Sequence, residues 1–189
     1  MNIIRKGVLY MAYTTQYSSP VGNLVLASDG ANLTGLWLEG QKYFMATVKG
    51  EILAQDDSLP VFAQTRQWLD RYFAGERPAP CELPLAPMGS PFRKAVWACL
   101  CQIPYGEVTT YGAIAKKLAP MLGREHLSAQ AVGGAVGHNP ISIIIPCHRV
   151  VGTDGSLTGY AGGIHTKEHL LRLEGAAMEG LFVPGETTK

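Results

Sequence analysis

One cysteine of this sequence is followed directly by two residues that can promote its chemistry. The segment at residues 143–150 reads IIIPCHRV, so Cys147 has Pro146 before it and His148 and Arg149 after it. The thiolate is the nucleophilic form of cysteine, and a free thiol has a pKa near ~8.5, so a reactive cysteine needs a nearby base or positive charge. His148 and Arg149 can supply both. The alternative is an inert buried cysteine beside a surface histidine and arginine, because free cysteine is among the most buried residue types.

The elements around Cys147 must position it. Residues 141–145 form an apolar run interrupted only by Ser142, which predicts a buried strand ending at Pro146. Residues 152–163 are rich in Gly, Thr, Ser and Asp, and so predict a loop. Residues 166–174 predict a last helix, with Thr166 as its cap and Gly175 as its stop.

The first part of the chain predicts a small sheet covered by a helix. Residues 24–27 and 33–38 are apolar and flank Asp29-Gly30, a strong hairpin signal. Pro60 opens a pattern of apolar residues at three- and four-residue steps, which Gly75 ends. Residues 76–89 then contain four prolines, which exclude a helix interior and predict an extended linker.

After the linker the pattern is helical. Ser90-Pro91 is a strong helix start. Residues 111–118 and 129–137 then predict a helix-turn-helix, in which Ser128 caps the second helix. Small residues dominate that second helix, so another surface can approach it closely. Either a neighbouring helix packs there or the helix enters a DNA groove, and the pattern alone leaves both open.

Composition bounds the class of protein. The chain has 189 residues, 47% of them hydrophobic and 16% charged, so it can bury a core. A formal net charge of only +1 gives no global basic field. The four cysteines, Cys81, Cys99, Cys101 and Cys147, lack zinc-site spacing, and we expect no metal. The apolar stretch at residues 7–11, which follows Arg5 and Lys6, is too short for an export signal, and no stretch has transmembrane length. We therefore expect a cytoplasmic protein.

An ordered series of motifs resembles one family. Pro-Cys-His-Arg-Val at 146–150 is similar to the active-site motif of the methylated-DNA–protein-cysteine methyltransferases, which repair alkylated guanine by direct reversal. The motifs VGGA at 132–135, Asn139-Pro140, GYAGG at 159–163, Lys167-Glu168 and LEG at 173–175 stand in the same order as in that family. The resemblance covers about residues 90–175.

The resemblance implies roles for particular residues. Cys147 would accept the alkyl group, His148 would act as base through a water, and Glu174 would orient His148. Asn139 would brace the helix-turn-helix against the active-site segment, and Tyr111 would donate a hydrogen bond or proton to the leaving guanine. The backbone of Tyr160 and Ala161, with the carbonyls of Cys147 and Val150, would line the base pocket. The residues implied for DNA contact are Ala129, Gln130, Ala131, Gly133 and Arg149.

Two departures from the family pattern stand out. Gln130 occupies the position where the family usually has an arginine, thought to fill the gap left by the flipped base. Gln can hydrogen-bond to the orphan base but brings no charge. The turn at residues 119–127 is also longer than in compact members.

The sequence as a whole predicts an α/β fold: a small mixed α/β N-terminal domain (1–75), a Pro-rich linker (76–89), a mostly helical DNA-binding and alkyl-acceptor domain with a helix-turn-helix (90–175), and a tail (176–189). We expect a monomer that repairs 6-O-alkylguanine, or 4-O-alkylthymine, in double-stranded DNA with the damaged base flipped out, and needs no cofactor. One alternative is a protein that binds alkylated DNA without repairing it, but such relatives replace the cysteine. A cysteine hydrolase is the other, and it leaves the small-residue helix without a role.

Overall fold

The computed structural model of this chain describes residues 11–185. The expectation of no export signal at residues 5–11 therefore lies outside the described residues, except for Met11. So do the first ten residues of the expected N-terminal domain and the last four of the tail.

A four-stranded sheet forms the first part of the molecule. Its strands are β1 (Met11–Ser19), β2 (Gly22–Ser28), β3 (Leu33–Leu38) and β4 (Ile52–Gln55), in the order β3-β2-β1-β4. β1, β2 and β3 pair antiparallel, whereas β4 runs parallel to β1. The β2–β3 turn holds Asp29, whose carboxylate accepts hydrogen bonds from the N–H groups of Ala31 and Asn32, and Gly30 at a φ of 102°. The predicted hairpin is confirmed.

One helix packs on this sheet, and the Pro-rich segment follows it. Helix α1 (Pro60–Phe73) begins at the predicted proline and ends just before Gly75, whose φ is 85°. A 3₁₀ turn (Pro80–Glu82) interrupts the Pro-rich segment, which then runs along β3. There the Leu33 N–H donates to the carbonyl of Pro84, and the Ala86 N–H donates to the carbonyl of Leu33. The segment thus extends the edge of the sheet.

The second part of the molecule is mostly helical. It contains α2 (Pro91–Leu100), α3 (Tyr111–Met121), α4 (Ala129–Gly137) and α5 (Ile164–Leu173), with a short parallel pair, β5 (Thr109–Thr110) and β6 (Val150–Val151). The Ser90 and Ser128 hydroxyls accept hydrogen bonds from the N–H groups of Arg93 and Ala131, which confirms both predicted caps. A mixed first part followed by a helical second part confirms the predicted fold class. Within residues 11–185 no helix is both long and apolar enough to cross a membrane.

A single apolar core joins the two parts. Leu36 of β3, Phe62 of α1, Trp97 of α2 and Ile145 all belong to one cluster of buried side chains. The Trp97 indole N–H donates to the carbonyl of Ala135 at 2.9 Å, which anchors α4 to α2. The position of α4 is therefore fixed from its buried side, and its other side is free to face solvent.

The predicted strand at residues 141–145 is wrong. These residues are buried as expected but form a turn, with only one β-bridge, between Ile141 and Leu36. Ile143 has a φ of 70°, a left-handed conformation that β-branched residues rarely adopt. The turn is closed by backbone bonds from Ile145 N–H to the Ile141 carbonyl and from Cys147 N–H to the Ile145 carbonyl. Packing and these bonds outweigh the β-propensity of the isoleucines.

Two predicted helix ends are also corrected. Helix α3 continues to Met121, so the turn of the helix-turn-helix covers residues 122–128 and not 119–127. Pro120 lacks an N–H group and so removes one helical hydrogen bond in the last turn of α3, which ends one residue later. Helix α5 starts at Ile164 with Gly163 as N-cap, two residues before Thr166. Gly163 has a φ of 92°, a conformation that glycine adopts without strain.

Candidate active site

Asn139 holds the segment that carries Cys147. The Asn139 side chain donates to the carbonyl of Ile145 at 2.8 Å and accepts from the Ile141 N–H at 3.0 Å. Its amide nitrogen also lies 3.1 Å from Cys147 Sγ. Cys147 begins a 3₁₀ turn (Cys147–Arg149) and is only 5% exposed. One buried amide therefore fixes both the turn and the thiol.

The thiol is not ionised by its surroundings alone. Burial raises the pKa of Cys147, and this outweighs the opposing effects of the Asn139 hydrogen bond and the Lys167 charge. A neutral thiol is a poor nucleophile, so this site needs a group that removes the proton.

Glu174 is the hub of a buried polar network. Its carboxylate accepts hydrogen bonds from His148 Nε2 at 2.7 Å, from the Tyr72 hydroxyl at 2.8 Å and from the Gly106 N–H at 3.2 Å. The guanidinium of Arg149 donates to both carboxylate oxygens, at 2.8 and 2.9 Å. Burial opposes the charge on Glu174, but the hydrogen bonds from His148 and Arg149 outweigh it and hold the pKa far below its usual range.

These contacts determine which nitrogen of His148 is free. Burial lowers the pKa of His148 despite the nearby carboxylate, so its ring is neutral and carries a single proton. An ionised carboxylate can only accept hydrogen bonds, so that proton is on Nε2, which faces Glu174. Nδ1 is then the basic nitrogen. It is buried and has no hydrogen-bond partner within residues 11–185.

Arg149 corrects one sequence expectation. We expected it to contact DNA, but it is 7% exposed and its guanidinium is held by Glu174 and by the carbonyl of Ile103. A bidentate pair with a buried carboxylate leaves the charge unavailable to a phosphate. Its role in this structure is to balance the charge of Glu174.

Lys167 lies at the site, although its motif in the sequence indicated no role for it. Although the residue is fully buried, its ammonium donates to the carbonyls of Val150 and Thr158. Burial lowers the pKa of Lys167 to about 8, and only an ionised Cys147 would oppose this shift. A usable signal was present: Lys167 shares the buried face of α5 with Leu170 and Leu171. The carbonyl of Val150, expected in the base pocket, is thus already bonded to Lys167.

Tyr111 stands at the start of α3, next to the loop after β6. Its hydroxyl donates to the carbonyl of Thr158 at 3.0 Å. Burial, and to a lesser degree Cys147, raises the pKa of Tyr111 to about 12, so it remains a donor at neutral pH. Gly159 has a φ of 83°, and a Cβ there would lie 2.4 Å from the Tyr111 oxygen. Only glycine fits at this approach.

A cavity of about 370 Å³ opens between α4 and residues 159–161 of the loop after β6. Tyr43 and His138 stack at its rim, with ring centroids 3.9 Å apart, and the Lys42 N–H donates to the carbonyl of Ala161. No sequence signal pointed to Lys42 or Tyr43. The lining residues are Lys42, Tyr43, Gly133, Gly134, Gly137, His138, Gly159, Tyr160 and Ala161.

The outer face of α4 is open to solvent. Ala129, Gln130 and Ala131 are exposed, whereas Val132 and Val136 are buried on the opposite face. Gly133 is half-buried against the Tyr111 ring, where a Cβ would sit 3.7 Å away. The start of α4 can therefore meet a large partner without disturbing the core.

Known proteins are similar to this chain in sequence and in fold. Models of the 6-O-methylguanine DNA methyltransferase match at residues 11–87 for its ribonuclease-like domain and at 91–176 for its DNA-binding domain. A methylated-DNA–protein-cysteine methyltransferase of Haemophilus influenzae is 44% identical, covering 86% of each chain. One from Methanosarcina acetivorans is 43% identical over 87% of this chain and 99% of its own. A crystal structure of Mycobacterium tuberculosis OGT in complex with DNA has 41% identity and a TM-score of 0.74, covering 86% of this chain and 93% of that one.

Proposed function

The chain belongs to the 6-O-methylguanine DNA methyltransferase family, and on that premise we propose that Cys147 is the residue that takes the alkyl group from the damaged base. The chain is a DNA-binding repair enzyme that acts by direct reversal, moving an alkyl group from guanine in DNA to one of its own cysteines. A thioether is too stable to reverse, so each chain acts once. The observation that carries the assignment of Cys147 is its buried thiol, held by Asn139 beside the Glu174–His148 pair.

The chemistry follows from the protonation states. The Cys147 proton passes through a water to His148 Nδ1, while Glu174 holds the Nε2 side of the ring and stabilises the imidazolium. The sulfur attacks the alkyl carbon, an S–C bond forms, and the C–O bond breaks with its electron pair left on the guanine oxygen. Tyr111 would turn its proton from the Thr158 carbonyl to the guanine ring as this charge develops, and the proton held by His148 returns to the base to complete normal guanine. The alkylated base is itself the donor, so no cofactor enters.

The damaged base has to leave the duplex to reach a buried thiol. Enzymes that act on a base generally flip it into a pocket. The cavity between α4 and the loop at residues 159–161 would receive it, with the backbone of Tyr160 and Ala161 as one wall. The exposed residues Ala129, Gln130 and Ala131 would enter the minor groove, whose degenerate pattern suits a lesion scanner. A methyl or small alkyl group on guanine is the proposed substrate, with 4-O-alkylthymine as a second one.

The proposed setting is a monomer in the cytoplasm. One chain carries the nucleophile, the base and the DNA-facing helix, so the reaction requires no second copy. All four cysteines are free thiols, which is usual for proteins of a reducing compartment.

Mass spectrometry of the protein after incubation with a duplex carrying one methylated guanine tests the acceptor. We expect one methylene per chain, mapped to Cys147 alone. The other cysteines are internal controls: simple chemical methylation would favour Cys81, which is exposed, over Cys147, which is buried. Label on Cys81, or no label despite binding of the duplex, would contradict the proposal.

Gln130 provides a second test, directed at base flipping. Gln130→Arg adds a cation at the exposed start of α4, where it can fill the gap in the base stack. A cation over the face of an exposed ring contributes about 0.5–1 kcal/mol, so we expect about a two- to fivefold faster transfer from duplex DNA. Single-turnover rates measure this. Transfer from a free alkylguanine base, which requires no flipping, is the control and should not change; an equal gain there would contradict the role of Gln130 in flipping.

A further inference from the structure

Two buried polar atoms of the site lack protein partners. Within residues 11–185, only three buried side-chain polar atoms have no hydrogen-bond partner: Thr47 Oγ1, His148 Nδ1 and the Tyr160 hydroxyl. The last two belong to one place. The rings of His148 and Tyr160 meet edge to face, with centroids 6.4 Å apart at 87°.

The ring of Tyr160 lies against His148, beside the reacting groups. Burial raises the pKa of Tyr160 well above its usual value, and the Glu174 carboxylate and an ionised Cys147 raise it further. The hydroxyl therefore keeps its proton. It can act as a hydrogen-bond donor but not as a base.

An unpaired hydroxyl at this position is costly. A buried donor without a partner destabilises a protein, and phenylalanine fills nearly the same space without that penalty. The part of Tyr160 that would form a wall for the substrate base is its backbone, which does not require the hydroxyl. Neither packing nor a role in the base pocket explains why this residue carries a hydroxyl group. We therefore expect the hydroxyl to have a hydrogen-bond partner in the working site.

We propose that the Tyr160 hydroxyl is a positioning group for proton transfer, donating a hydrogen bond to the water that links Cys147 to His148 Nδ1. This rests on the proposed roles of Cys147 and His148. The water oxygen would accept from both the Cys147 S–H and the Tyr160 O–H, and would donate one hydrogen to Nδ1, giving it the three partners usual for a buried water. During transfer the thiol proton moves to the water, one water proton moves to Nδ1, and Tyr160 keeps its own.

The test is Tyr160→Phe, which removes the hydroxyl and keeps the ring. The first readout is the pH dependence of Cys147 alkylation by iodoacetamide without DNA, followed by mass spectrometry. We expect its midpoint to rise by about one pH unit, equivalent to about a tenfold smaller thiolate fraction below the midpoint. Methyl transfer at neutral pH should slow by a similar factor, with unchanged affinity for the duplex. Tyr17→Phe is the matched control, because its hydroxyl bonds exposed Asp70 away from the site; it should change nothing.

The possible results distinguish a failure of this proposal from a failure of the proposed function. A midpoint and a transfer rate equal to those of wild type would overturn the proposal. Weaker duplex binding with an unmoved midpoint would overturn it too, and would make Tyr160 only a wall of the base pocket. If wild-type Cys147 gains no methyl group from DNA, the proposed function fails instead, and the DNA-free alkylation midpoint still decides the role of Tyr160.

Discussion

Replacement of Cys147 by serine is expected to abolish methyl uptake while leaving the affinity for a methylated duplex unchanged. Serine keeps the size of the side chain and can still accept the Asn139 hydrogen bond. Its hydroxyl is much less acidic than a thiol, and His148 is a weakened base because burial lowers its pKa. The pair therefore cannot generate an alkoxide. DNA binding should persist because the side chain is buried and lies away from the exposed face of α4.

The measurement pairs two readouts with a matched control. Intact-protein mass spectrometry follows the protein, and analysis of the oligonucleotide shows whether methylated guanine remains. Cys99→Ser is the control, since Cys99 is also buried but lies on α2, outside the network. It should take up one methyl group per chain at the wild-type rate. A methyl group found on any residue of the Cys147→Ser variant would mean that another side chain is the acceptor.

Local signals in the sequence predicted most elements of the fold. Three of these signals are side chains that accept hydrogen bonds from backbone N–H groups two or three residues away: Ser90, Ser128 and Asp29. Because the partners are so close in sequence, these contacts depend little on tertiary context. The turn at residues 141–145 is different. The left-handed Ile143 is enforced by Asn139 and by β3, and no pattern within the run itself indicates it.

Residue chemistry alone indicated Cys147 and His148 as site residues, and the family resemblance added Asn139, Glu174 and Tyr111. Cys147 and His148 are adjacent in the sequence, but Glu174 is 26 residues from His148, and their contact is a product of the fold. Arg149 was wrongly expected to contact DNA, because the sequence does not show that its guanidinium is paired with the carboxylate of Glu174. The Tyr72 hydroxyl reaches Glu174 from the first part of the chain, a contact that no spacing in the sequence encodes.

Replacement of Glu174 by glutamine is expected to weaken both folding and catalysis. The buried guanidinium of Arg149 loses its counter-charge, and breaking a buried ion pair from one side costs about 3–5 kcal/mol in the free energy of unfolding. His148 loses the carboxylate that fixes its tautomer and stabilises its charged form, and such acid–base assistance contributes about 10²-fold or more to rate. Urea unfolding followed by tryptophan fluorescence and single-turnover transfer measure the two effects.

The loss of stability should depend on pH in a defined direction. The pKa of Glu174 is lowered in the folded protein from the 4.5 of an unperturbed glutamate, so the folded state binds fewer protons than the unfolded state on acidification. Its stabilisation is therefore complete above about pH 4.5 and is lost as the pH falls below that value toward the folded pKa. The difference in unfolding free energy between wild type and Glu174→Gln should be largest near neutrality and shrink below pH 4.5. A difference that grows on acidification would contradict this network.

A double variant separates the two consequences of losing Glu174. In Glu174→Gln combined with Arg149→Met, no unpaired guanidinium remains buried, and an apolar side chain of similar length fills its place. Such replacements of buried pairs are often neutral or stabilising, so we expect stability to return most of the way to wild type. Methyl transfer should stay about as slow as in Glu174→Gln, because His148 still lacks its carboxylate. If transfer recovers along with stability, Glu174 serves only to stabilise the fold, and the deprotonation of Cys147 does not require it.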